Sequence, residues 1–87
     1  MITVKKINET TFEVTVQERT TTTHRVTVEP DYYNKLSGGV TPETLVEKSF
    51  EFLLEREPNT SILRTFDLPV IGRYFPEYER TIKGVLG

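Results

Sequence analysis

His24 is the only imidazole in this 87-residue chain, and there is no cysteine, so a thiol nucleophile and a Cys/His zinc site are both excluded by residue type. It stands at the end of a strand beside a Thr-rich turn, which suits a rim or surface histidine better than a general base. Asp67 and Glu77 invite consideration as a carboxylate pair. Each has a simpler use: Asp67 as a helix cap, and Glu77 as a first-turn acid after Pro76. Gly38-Gly39 lacks both the Lys-Ser/Thr pair and the third glycine that a phosphate loop needs, and no serine lies in a nucleophile-elbow pattern. Arg73 and Arg80, seven apart, share a helix face as solvated cations flanking an aromatic stripe. The expectation is a protein that is not an enzyme, with no catalytic, metal-binding or cofactor-binding residues.

Charge narrows the partners. Eleven basic and thirteen acidic residues give a net charge of −2, and the excess acid sits in the middle. Residues 31–57 hold three basic and six acidic side chains, against four and four before them and four and three after. No segment offers the basic footprint by which proteins displace counterions from phosphates, so nucleic acid is disfavoured as a partner. The opening "MITVKKINET" has no apolar core of a signal peptide and no long apolar run follows, so a cytoplasmic protein without a membrane span is expected. The sequons at Asn8 and Asn59 are then chance matches.

These few groups must be held by an α+β domain spanning residues 1–87. "ITVKKI" reads as a short strand over 2–7. "TFEVTVQE" alternates strictly, with Phe12, Val14 and Val16 on one face, and predicts a strand over 11–18. "HRVTVE" alternates again, placing His24, Val26 and Val28 inward over a strand at 23–29, so an N-terminal antiparallel meander built on a hairpin is expected. Pro30 opens a short helix over 30–37, with Tyr33 and Leu36 sharing its buried face, and Gly38-Gly39 stops it. Thr41 as N-cap, Pro42 at the first helical position and Glu43 in the first turn then start a long amphipathic helix over 41–57, which Pro58 ends.

That helix is apolar over too wide an arc. Leu45, Val46, Ser49, Phe50, Leu53 and Leu54 fall within about 180°, and Phe52 lies beyond on the other side, so the helix requires burial on two flanks. Glu47, Glu51 and Glu55 form a like-charged solvated stripe. The densest apolar run, "SILRTFDLPVIGRYFPEYE", follows as a broken helical tail over 60–83, interrupted by Pro69, Gly72 and Pro76. Ile62, Leu63 and Phe66 belong to a short turn that Asn59 to Ser61 cap, and Asp67 caps the next. The tail supplies the second wall that the helix demands. A chain this small buries only about 60% of its unfolded surface, and adjacent aromatics such as Tyr74 and Phe75 point to different sides of a helix. Part of the tail is therefore expected at a homodimer interface made of Phe52, Val70, Ile71, Tyr74, Phe75 and Tyr78. The leading expectation is a small dimeric protein-interaction module.

From His24 to Glu57, "HRVTVEPDYYNKLSGGVTPETLVEKSFEFLLERE" runs strand, short helix, Gly turn and capped amphipathic helix. This stretch resembles ribbon-helix-helix repressors and the antitoxins built on them. The resemblance implies a DNA-binding regulator as the alternative, in which outward residues of a dimeric ribbon enter the major groove and a helix N-terminus meets a phosphate. It implies base contacts from Arg25, Thr27 and Glu29, and a phosphate contact at the amides after Thr41. The remainder resembles other short prokaryotic proteins, a likeness that carries no activity.

Overall fold

The computed structural model describes residues 1–37 and 39–87. Three strands, β1 (Ile2–Lys6), β2 (Thr11–Gln17) and β3 (Thr21–Thr27), form the expected antiparallel meander. α1 (Pro30–Ser37) and α2 (Pro42–Leu54) follow, then a 3-10 turn at Asn59–Ser61, β4 (Thr65–Asp67), α3 (Val70–Tyr74) and α4 (Tyr78–Leu86). The fold is α+β, with sheet order β1-β2-β3-β4.

Alternation fixes the two faces of the sheet. Phe12, Val14 and Val16 of β2 and Thr22, His24 and Val26 of β3 are buried, while Thr15, Thr23, Glu13 and Arg25 alternate toward solvent. The first hairpin turn is held by Asn8, whose Oδ1 accepts from the amides of Thr10 and Thr11 at 3.0 Å each.

α2 begins as its residues dictate. The Thr41 hydroxyl accepts from the Thr44 amide at 3.1 Å, Pro42 occupies the first turn and Glu43 faces the positive end of the helix dipole. The helix ends at Leu54, three residues short of the expected 57. There the amides of Arg56 and Glu57 both donate to the Leu53 carbonyl, tightening the turn, and Pro58 disfavours helical geometry in the residue before it. Between the first two helices Gly39 takes φ 138°, a backbone conformation that a side chain would strain. The other half of the expected glycine stop, Gly38, lies outside the described residues.

Both flanks of α2 are buried. Leu45, Val46, Phe50 and Leu53 join the sheet residues in one core. On the sheet side the Phe50 ring lies 5.4 Å from His24 and 6.1 Å from Phe66. On the other flank Phe52 meets Tyr78 of α4 at 5.2 Å and Phe75 at 5.9 Å, both edge-on. The Ser49 hydroxyl donates to the Leu45 carbonyl at 2.7 Å and receives the Tyr78 hydroxyl at 2.6 Å, so the one polar group on the helix's buried arc is satisfied. Arg56 closes this side: its guanidinium stacks 3.5 Å from the Phe52 ring centroid and its Nε donates to Glu77 at 3.2 Å. α1 is clasped to α4 through Glu79, which accepts from the Tyr32 hydroxyl at 2.8 Å and pairs with Lys35 at 3.2 Å.

The tail departs from the expected broken helix in one respect. Residues 65–67 are a strand, paired in parallel to β3 with Arg25 opposite Thr65, Val26 opposite Phe66 and Thr27 opposite Asp67. Periodicity could not reveal it, because three residues carry no period and the pairing joins segments forty residues apart. Asp67 is thus a strand residue on the solvent face and caps no helix, and α3 starts after Pro69 without a side-chain cap. The strand boundaries also shift: β3 covers Thr21–Thr27 and not 23–29, because the sheet hairpin continues into the threonines that looked like a turn.

The tail's wall contributes Ile62, Phe66, Leu68, Ile71, Tyr78 and Ile82 to the core. Burying each such side chain is worth about 1.5–3 kcal/mol. Ending the chain after Pro58 should therefore leave Phe50, Phe52 and Val26 uncovered and yield an aggregated or molten chain. Circular dichroism on heating would then show no cooperative transition; a sharp, unchanged transition would contradict the wall.

Candidate docking groove

A groove of about 360 Å³ opens between the end of α2, the 3-10 turn and α3, with β4 along its floor. Leu53 and Glu57 form the α2 side, Ser61, Ile62 and Leu63 the turn side, Phe66 the floor, and Val70, Ile71, Tyr74 and Phe75 the α3 side. Eight of these ten side chains are apolar or aromatic. Two large ones stand at the rim in solvent: Leu63 is 47% exposed and Tyr74 67%.

The turn wall is positioned from the core by His24. This histidine is fully buried, against the sequence expectation of a rim or surface position, because β3 starts two residues earlier than expected and carries the ring into the sheet's interior. Its Nδ1 donates to the Leu63 carbonyl at 2.8 Å, and its Nε2 accepts the Thr22 hydroxyl at 2.8 Å. Thr22 in turn accepts from Asn59 Nδ2 at 3.0 Å, and the same amide donates to the Thr20 carbonyl at 2.7 Å. β3, the 3-10 turn and the groove wall are thereby joined through three buried polar side chains, none of them left unpaired.

Burial lowers the His24 pKa below its ordinary 6.5; the Leu63 carbonyl opposes this and the Arg64 charge adds to it. His24 is therefore a neutral imidazole behind the groove wall, with both nitrogens occupied and out of reach of a substrate. Tyr78 and Tyr32 are pushed above the ordinary phenol range, each chiefly by burial, so both remain protonated hydrogen-bond donors. Glu77 is held below the usual carboxylate range by its own backbone amide and then by Arg56, and Glu79 by Tyr32 and then Lys35, so both stay ionised as structural partners.

The six residues proposed for an interface divide. Phe52, Ile71 and Tyr78 are 3%, 3% and 0% exposed and are used within the chain. Val70 and Phe75 are half-buried beside the core, and Tyr74 projects from it. Ile71 also lines the groove, so four of the six gather there. Leu63, which sequence reasoning assigned to a short turn with Ile62 and Phe66, is the exposed groove residue outside the expected interface, and Leu53, Glu57, Ser61, Ile62 and Phe66 complete the lining.

Of the residues implied for DNA contact, Arg25 and Thr27 share one face and Thr41 stands apart. Arg25 and Thr27 lie on the solvent face of the sheet, with Arg25 3.8 Å from Glu13. Thr41 starts α2, which packs on the opposite face. The free edge of β3 that a ribbon would use is occupied by β4 of the same chain at Arg25–Thr27. Among the described residues no group of three or more His, Asp or Glu side chains could hold a metal ion, and no helix is long and apolar enough to cross a membrane.

No known protein family, curated protein or solved structure matches this chain.

His24 makes stability pH-dependent with a definite sign. Below pH 6.5 the unfolded chain takes up a proton that the folded chain resists, so stability falls as the pH drops from about 6.5 toward the lower native pKa and is constant above it. The slope cannot exceed about 1.4 kcal/mol per pH unit for one proton. His24 is the one side chain whose ordinary pKa falls in this range, so comparing thermal melts of the wild type and a His24 variant between pH 7.5 and 5.5 isolates its contribution. His24→Phe should flatten the profile and cost about 1–3 kcal/mol through the unpaired Leu63 carbonyl and Thr22. A wild-type melting temperature unchanged between pH 7.5 and 5.5 would contradict a neutral buried imidazole.

Proposed function

We propose that this chain is a non-enzymatic protein-interaction module that works as a homodimer, joined through the groove beside α3. The observation that carries the reading is a socket and a knob on one face. The groove supplies an apolar hollow of about 360 Å³, and Tyr74, at its rim, supplies a ring that its own chain leaves 67% exposed. An isologous interface needs this self-complementarity, since each copy presents the same patch. A tyrosine suits the role: it buries a large apolar ring at low entropic cost and keeps a hydroxyl for the wet rim.

Chemistry elsewhere supports a binding role over catalysis. The imidazole is enclosed, Glu77 and Glu79 are engaged with Arg56 and Lys35, and Tyr78 is bonded to Ser49. The DNA-binding alternative stands second because Arg25 is offset by Glu13 and the ribbon edge of β3 is filled by β4. A DNA binder should be retained on heparin in a salt-dependent manner and lose retention on Arg25→Glu; indifference of both proteins favours the interaction module.

Sedimentation equilibrium tests the homodimer. The wild type should associate in a concentration-dependent manner, and Tyr74→Glu should weaken association by about 2 kcal/mol or more, as for a central aromatic anchor. Because Tyr74 is mostly in solvent in the isolated chain, the same variant should melt within about 0.5 kcal/mol of wild type when both are monomeric. A wild type that sediments as a monomer up to about 1 mM would end this reading.

A further inference from the structure

β4 is one of the two edges of the sheet, and its backbone groups divide by parity. The Arg64 carbonyl accepts from the Arg25 amide at 2.7 Å, and the Leu68 amide donates to the Thr27 carbonyl at 2.9 Å. Residues 64, 66 and 68 therefore direct their backbone groups toward β3, and Thr65 and Asp67 direct theirs away from the sheet. Two residues with outward amides and carbonyls, separated by one with none, are self-complementary in the antiparallel sense. Turned about a two-fold axis through the middle residue, each outward residue faces the other.

We propose that two copies of the chain pair β4 with β4 in antiparallel register about a two-fold axis at Phe66, doubling the four-stranded sheet. Thr65 of each copy exchanges amide and carbonyl bonds with the partner's Asp67. On the solvent face the Thr65 hydroxyl stands beside the partner's Asp67 carboxylate, a favourable cross-strand neighbour. On the helical face the axis perpendicular to the sheet keeps both α3 helices on the same side, where they close over the two grooves and cover Tyr74 and Leu63.

Charge selects a second copy as the occupant. Glu57 and Asp67, and likewise Arg64 and Arg73, are among the charged residues that make no ion pair within the chain among the described residues. All four belong to the groove or to the elements around it: Glu57 lines it, Arg64 and Asp67 bracket the centre of β4, and Arg73 is in α3. Two unpaired charges of each sign on one patch complement a copy of that patch better than they complement a partner of one sign. The opposite edge differs: β1 carries Lys5 and Lys6, the charges by which sheets discourage edge pairing.

This inference rests on the homodimer, and hydrogen exchange separates the two. In wild-type protein the Thr65 and Asp67 amides should exchange about ten-fold or more slower in the concentrated dimer than in dilute monomer, while the Phe66 amide, already bonded to β3, changes little. Thr65→Pro removes a donor that the isolated chain does not use, so it should weaken dimerisation about ten-fold and leave the monomer's far-UV circular dichroism intact. If the protein dimerises and the Thr65 and Asp67 amides exchange at equal rates in dimer and monomer, the sheet does not continue across the axis and the proposal fails, while the homodimer stands. Absence of any dimer overturns both. The exchange measurement uses wild-type protein, so a Thr65→Pro chain that fails to fold leaves the test in force.

Discussion

Phe50 and Phe52 stand two residues apart on α2, and an α-helix turns such a pair to opposite flanks. One ring goes to the sheet, against His24 and Phe66; the other goes to Tyr78 and Phe75. Everything after Pro58 answers this constraint. A helix apolar on one flank would rest on the meander alone. A helix apolar on two needs a second wall, and in a chain of 87 residues the only material left is the last thirty.

The second wall has its own geometry, and the groove is its by-product. α4 covers the far flank of α2 with Tyr78 and Ile82, while β4 and α3 extend the sheet side with Phe66, Leu68 and Ile71. Between α2 and β4 the chain turns sharply at the 3-10 element, and beside that turn Leu63 and Tyr74 are left outside. The turn cannot relax over this surface, because its Leu63 carbonyl is bound to a buried imidazole and its Asn59 is bound to Thr20 and Thr22. A buried polar network of this kind holds only while every member is paired. The turn side of the hollow is therefore fastened to the sheet.

The groups that carry chemistry in other proteins are absorbed here by structure. The single histidine ties a loop to a strand, and the tail carboxylates anchor Arg56 and the Tyr32–Lys35 pair. Around the groove, the outer backbone of β4 and the side chains of Leu63 and Tyr74 stay open to solvent. Features of this kind serve association, which relies on area, register and complementarity, and the proposed homodimer draws on them.

Strict alternation through Phe12, Val14 and Val16 was enough to identify the central strand from local sequence, and Thr41-Pro42-Glu43 with Pro58 was enough to bracket α2, because both signals act within a turn or a pleat. The width of α2's apolar arc further required a covering tail, since unburied phenylalanines cost too much to leave in water. Tertiary structure alone decided that Thr65–Asp67 would be a strand, that His24 would be sealed, and that Leu63 would join Tyr74 at a groove. Each of these depends on a partner roughly forty residues away along the chain, as with His24 and Leu63 or Val26 and Phe66. Periodicity and capping register only neighbours a few positions apart, so contacts of that span become visible when the chain has closed upon itself.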